Sequence, residues 1–177
     1  MTTRGGPSPL GTAPRPQTVV LGLGNVLVGD DGVGIEVIRR LAVRWAETPE
    51  AAGIAFVDGG TLGLELLAIV SAASHLVVVD AVALGARPGT VTILRDPATV
   101  GRLAGVLSAH QLGLGDLLAA ARLRGSVPSV LIVAVEPASL AVGAGLSPAV
   151  ARAVPAACAA VEAELGLAAR RREVAHA

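Results

Sequence analysis

The chain has no lysine and no tyrosine, so every basic side chain is an arginine. A Schiff-base lysine, a lysine general base and a tyrosine acid are therefore excluded. The lone Cys158 cannot form an intramolecular disulfide or a thiolate metal cage, and it fits a reducing compartment. Net charge is +0, so the clustered positive potential that phosphate binding requires is missing and no nucleic-acid partner is expected. Long apolar runs are missing too, despite 53% apolar residues and a mean hydropathy of +0.68. Glu65, His75, Asp80, Glu136 and Pro137 interrupt them before the ~18 clean residues that a membrane span needs. The first residues, MTTRGGPSPLGTAPRPQ, hold no apolar stretch of the kind that marks a secretory signal. These absences predict a soluble, cytoplasmic chain with no membrane partner.

What is present is a large apolar fraction in 177 residues, enough for one substantial core. Residues 1–17, rich in Gly, Pro, Thr and Ser, read as a disordered lead-in. Five short runs rich in Val, Leu or Ile read as buried strands: Thr18–Leu23, Ile54–Asp58, His75–Asp80, Thr90–Arg95 and Val130–Glu136. Helical spacing is expected over 33–47, 62–73, 109–122 and from Pro148 to about Leu167. The last of these starts with Ser147 as N-cap and Pro148 in the first turn, and Pro155 should kink it. Residues 168–177, with three consecutive arginines, read as a frayed basic tail. Alternation of strand and helix predicts a single α/β domain over 18–167. Its architecture is a three-layer α/β/α sandwich on a mostly parallel, twisted five-stranded sheet of the phosphorylase/hydrolase kind, with one antiparallel strand. No heptad pattern or apolar surface stripe argues for association, so a monomer is expected.

In a parallel sheet ligands collect beyond the carboxyl ends of the strands. Several polar residues fall there. Asp30 and Asp31 follow the first strand within TVVLGLGNVLVGDDGVGIE and would lie in the first turn of the next helix. Asp58 ends the second strand, Asp80 the third and Glu136 the last, while His110 opens the third helix. One imidazole with two or three carboxylates and no thiolate suits a borderline divalent ion held by N and O. Simpler roles stand beside that one. Asp30 or Asp31 could cap a helix. Ser108 and Gln111 form a capping box around His110 without explaining it. Asp58 and Asp80 could open turns, Glu136 could be an exposed loop acid, and His75 and Cys158 read as a satisfied histidine and a small core residue.

The stretch Gly22, Gly24, Asn25, Leu27, Asp30, Asp31 and Gly34 matches G-x-G-N-x-L/M-x-x-D-D/E-x-x-G. It resembles the opening motif of the endopeptidases that mature the large subunit of nickel-iron hydrogenases. The resemblance continues in Asp58-Gly59-Gly60-Thr61, Val79-Asp80-Ala81, Pro88-Gly89-Thr90 and His110-Gln111-Leu112-Gly113-Leu114, and covers roughly residues 18–165. It implies a peptidase that removes a C-terminal extension from the hydrogenase large-subunit precursor after nickel insertion. The metal set it implies is Asp31, Asp80 and His110, with these three and Asp58 as catalytic candidates. The nickel would arrive on the substrate, and no permanently bound cofactor is implied. Some members carry Glu where this chain has Asp31, one methylene shorter.

Other chemistries fit less well. There is no H-E-x-x-H zinc motif and no Gly-x-Ser-x-Gly elbow. A dinucleotide site would want glycine where Leu27 stands, and two acids at the helix start would repel a pyrophosphate. Peptidyl-tRNA hydrolases also open with Gly-Leu-Gly-Asn, but their tyrosine and the histidine of their next motif have no counterpart here. A non-catalytic nickel-binding or chaperone protein on the same fold remains the alternative that sequence leaves open.

Overall fold

A computed structural model describes residues 17–49, 52–61, 63–95, 114–126 and 128–175, with 167–175 as backbone only. Five strands form one sheet: β1 (Thr18–Leu23), β2 (Ile54–Gly60), β3 (His75–Ala81), β4 (Val91–Leu94) and β5 (Ser129–Val135). Their spatial order is β2-β1-β3-β5-β4. β1, β2, β3 and β5 run parallel, and β4 lies antiparallel on β5 at the edge. Among the described residues four helices flank the sheet: α1 (Val33–Trp45), α2 (Leu67–Ala72), α3 (Leu114–Leu123) and α4 (Pro148–Ala175).

The central strands are apolar on both faces because both faces are covered. On one side Val20, Val77, Val79, Val133 and Val135 pack under α1 and α4. On the other, Val19, Leu21, Leu76, Val78 and Ile132 pack under α2 and α3. The four-residue spacing of α1 places Val33, Val37 and Leu41 fully inside, and the α4 stripe of Val150, Val154, Val161 and Leu165 is equally buried. Burial of each such side chain contributes about 1.5–3 kcal/mol. Trp45, at the end of α1, is half-buried beside Phe56 at a ring separation of 6.0 Å, and its indole N–H donates to Glu162 on α4.

Several boundaries differ from the sequence expectation, each for a local reason. Asp30 and Asp31 are not in the first turn of α1. They occupy a separate 3-10 turn, Gly29–Gly32, and the acid in the first turn of α1 is Glu36. β2 runs past Asp58 through Gly60, because a register shift at Gly22/Leu23 lets Leu23 pair with Gly60. The second helix opens as a 3-10 turn, Leu64–Leu66, before becoming α-helical. α4 continues to Ala175 rather than ending near Leu167, and passes through Pro155. Gln17 is tied down, its N–H donating to the Gly53 carbonyl and its carbonyl accepting from Ser74 and His75. Residues 1–16 and 109–113, including the start expected for the third helix, lie outside the described residues.

Candidate active site

β1 sits between β2 and β3, so the chain leaves it in one direction to β2 and returns on its other side to β3. The gap between the carboxyl ends of β1 and β3 is therefore the switch point where a crevice opens. The amino end of α1 presses into that gap. A methyl group on Gly34 would stand 2.3 Å from the Val79 carbonyl oxygen and 2.4 Å from that of Leu23, so only glycine lets helix and strands meet here. Gly24 combines φ 123° with a similar squeeze: a Cβ would lie 1.8 Å from the Asp31 carbonyl oxygen. The glycines of the opening motif thus bring the 3-10 turn against β3.

Asp31 projects from that turn, and its Oδ2 accepts the backbone N–H of Asn25 at 2.7 Å. The Asn25 side chain in turn accepts the N–H of Leu27, curling the loop into a fixed shape. Asp80, at the end of β3, is buried and its Oδ1 accepts the N–H of Ala81 at 2.8 Å. Burial, with the nearby negative charge of Asp31 adding to it, raises the Asp80 pKa to about 7. A carboxyl buried beside a second acid in this way can hold a proton near neutral pH. When both are ionised, two such carboxylates together attract a cation.

The neighbouring acids do something else. Asp30 is buried, and its Oδ2 accepts the N–H groups of Ala138 at 2.7 Å and Ser139 at 3.0 Å, while Oδ1 accepts that of Ser147 at 2.6 Å. Burial alone would raise its pKa, but the backbone donors of Ser147, Ala138 and Ser139, joined by the Ser147 hydroxyl, outweigh it and hold the carboxyl below its ordinary value. Asp30 therefore caps no part of α1. It clasps the β5–α4 loop against the β1–α1 loop. The Ser147 hydroxyl accepts the N–H of Val150, which makes it the N-cap of α4 as expected. Glu136 is likewise buried rather than an exposed loop acid. Its carboxylate accepts the N–H groups of Leu84 at 2.8 Å and Gly85 at 3.2 Å and holds down the β3–β4 loop.

Asp58 also stands at this edge, opposite Gly22, but its exposed carboxylate pairs with Arg39 on α1 at 3.3 Å. Of the four predicted site residues, Asp31 and Asp80 are brought together, Asp58 is engaged at the flank, and His110 lies outside the described residues. Among the described residues no three His, Cys, Asp or Glu side chains gather into a metal cluster. His75 and Cys158 are accounted for elsewhere. The His75 Nδ1 and the Ser129 hydroxyl are hydrogen-bonded at 2.5 Å at the opposite edge of the sheet, and Cys158 is buried in the core. The clasping roles of Asp30 and Glu136 have no local sequence signal, since their partners lie 51 to 117 residues away.

The model of the hydrogenase maturation protease family matches residues 35–164. The chain belongs to that family. The hydrogenase 2 maturation protease of Escherichia coli (strain K12) is 40% identical over 134 residues, which span 75% of this chain and 80% of that protein. The hydrogenase expression/formation protein HupD of Rhodobacter capsulatus is 41% identical over 143 residues, 77% of this chain and 66% of that one. The solved structure of the hydrogenase maturating endopeptidase HybD from E. coli superposes with a TM-score of 0.75 at 35% identity, covering 86% of this chain and 93% of that chain. The protease therefore shares both fold and sequence with peptidases, and the carboxyl edge of its sheet holds its candidate active site. Among its described residues no helix is long and apolar enough to cross a membrane.

Proposed function

We propose that this protease removes the C-terminal extension of a nickel-iron hydrogenase large-subunit precursor after nickel insertion, and that it reads the substrate-bound nickel through Asp31, Asp80 and His110. The observation that carries this reading is the electrostatic coupling of Asp31 to a buried Asp80 at the β1/β3 switch point. A buried acid raised to about 7 is costly for the fold alone and is the kind of perturbation that functional sites concentrate. An incoming divalent cation reverses that cost by favouring the ionised form of both acids. An imidazole from His110 would complete an N/O donor set suited to a borderline ion. Precursor without nickel would meet two carboxylates and gain nothing from them, so loading would govern recognition.

In the hydrolytic step the substrate's nickel polarises the scissile carbonyl. The water oxygen bonds to the carbonyl carbon, the C–N bond breaks, and the leaving nitrogen takes the proton that the water gives up. Asp58, at the same edge, is paired with Arg39 and borders the site.

The test is an intact-mass spectrum of nickel-loaded and nickel-free precursor after incubation with the protease. A C-terminal peptide should be lost from the loaded form alone. Equal loss from both forms would contradict nickel reading, and no loss from either would contradict the protease assignment for that precursor.

A further inference from the structure

The carboxyl edge carries an apolar rim that the chemistry of the acid pair does not use. Eight large apolar side chains are exposed among the described residues, and five of them lie on three loops here. Val26 and Leu27 are on the β1–α1 loop, Leu84 on the β3–β4 loop, and Leu140 and Val142 on the β5–α4 loop. Leu27 is 62% exposed and Val142 is 90% exposed, so neither is retained for the core.

The loops form one fastened unit. The Gly143 N–H donates to the Leu27 carbonyl at 2.9 Å, and the Gly29 N–H donates to the Gly143 carbonyl at 2.8 Å. A parallel bridge pairs Val28 with Gly143. Asp30 joins the first and third loops, and Glu136 joins the third to the second. Exposed apolar side chains on loops held this firmly cost little entropy when a partner covers them.

We infer that this rim is a docking surface for an apolar, extended segment of the substrate polypeptide flanking the bond presented to Asp31 and Asp80; this rests on the protease reading above. Three observations commit the rim to that occupant. It is continuous with the acid pair: Leu27 precedes Asp31 by four residues and Leu84 follows Asp80 by four. It is nearly uncharged, because loops 24–32, 82–90 and 136–147 carry Asp30, Asp31, Arg87 and Glu136, two of which are buried in the clasps. Arg87 is the one exposed basic group on these loops, so a charged segment would find few counter-ions there, whereas Leu, Val or Ala side chains would be dehydrated against it. Finally, the relatives are endopeptidases, so the molecule reaching the acid pair is a polypeptide rather than a small apolar compound.

The experiment is steady-state cleavage of nickel-loaded precursor by the wild type, by the double variant Leu27→Ser/Val142→Ser, and by Leu123→Ser as a control. Leu123 is 91% exposed on α3, away from these loops. The double variant should raise KM by roughly tenfold or more, the loss expected for one or two buried aliphatic contacts. Its kcat should stay within about twofold and its melting temperature should match the wild type, with Leu123→Ser unchanged throughout. Unchanged KM in the double variant, while the wild type cuts, would overturn the rim and leave the protease reading intact. Sedimentation showing a wild-type dimer that the double variant abolishes without altering KM would make the rim a self-interface and overturn the proposal equally. A wild type that cuts no precursor would overturn the protease reading itself, and the rim with it.

Discussion

The clasp built on Asp30 and the pair built on Asp31 with Asp80 share one edge of the sheet, yet their carboxylates are satisfied in different ways. Asp30 receives three backbone N–H groups, enough to hold its charge in place despite burial. Asp80 receives one such bond from within the described residues and faces another acid, so its charge is costly where it stands. The clasp is therefore finished by the chain itself, whereas among the described residues the pair is not. Two adjacent residues in one tetrapeptide turn thus divide between holding the site together and forming it. Sequence adjacency says nothing about which acid takes which task; the direction in which the 3-10 turn points them decides it.

If this division is right, substitutions on the two sides should have opposite signs on stability. Asp30→Ala would orphan three part-buried N–H groups and should destabilise by roughly 2–4 kcal/mol. Chemical denaturation at pH 7 would measure it. Because the Asp30 pKa is depressed in the fold, its contribution is present above the unfolded carboxyl value and lost as pH falls below about 4. The gap between variant and wild type should therefore narrow in acid.

Asp80→Asn should instead stabilise. Its amide oxygen can still accept the Ala81 N–H, and the buried charge is gone. Folding raises the Asp80 pKa from 3.8 to about 7, so the folded chain holds that proton more tightly. Wild-type stability falls as pH climbs between those values, and the full cost is present above the upper one. A gain of about 2–4 kcal/mol for Asp80→Asn at pH 8, fading to nothing near pH 4, is expected from thermal melts across that range. A loss at pH 8 would place Asp80 with the clasping acids.

The smallest effect belongs to the flank. Arg39 and Asp58 are both largely exposed, and such pairs contribute within about 0.5 kcal/mol. Arg39→Ala should leave the melting temperature within a degree or two and precursor cleavage within about threefold. A loss comparable to that of Asp31→Asn would move Asp58 into the reacting centre.

Much of this was readable from residue order. β1 keeps its predicted bounds, and the buried faces of α1 and α4 follow from valines and leucines at helical spacing. The parallel sheet followed from alternation, and with it the edge where Asp30, Asp31, Asp58, Asp80 and Glu136 converge. Less readable was whatever depends on partners distant in the chain. Asp30 looks like a helix cap in its own tetrapeptide, and only the return of residues 138–147 beside it reveals the clasp. Glu136, placed before a proline, looks like a loop acid until Leu84 and Gly85 arrive from 52 and 51 residues earlier. The continuation of β2 through a Gly-Gly pair required a register shift in its neighbour, which no local propensity encodes.

The most direct measurement is a double-mutant cycle on kcat/KM for nickel-loaded precursor, using Asp31→Asn, Asp80→Asn and the two together. If both acids grip one ion, either single change should cost at least about a hundredfold and the double variant little more than the worse single one. Losses that multiply, with each acid contributing independently of the other, would contradict a shared site between β1 and β3.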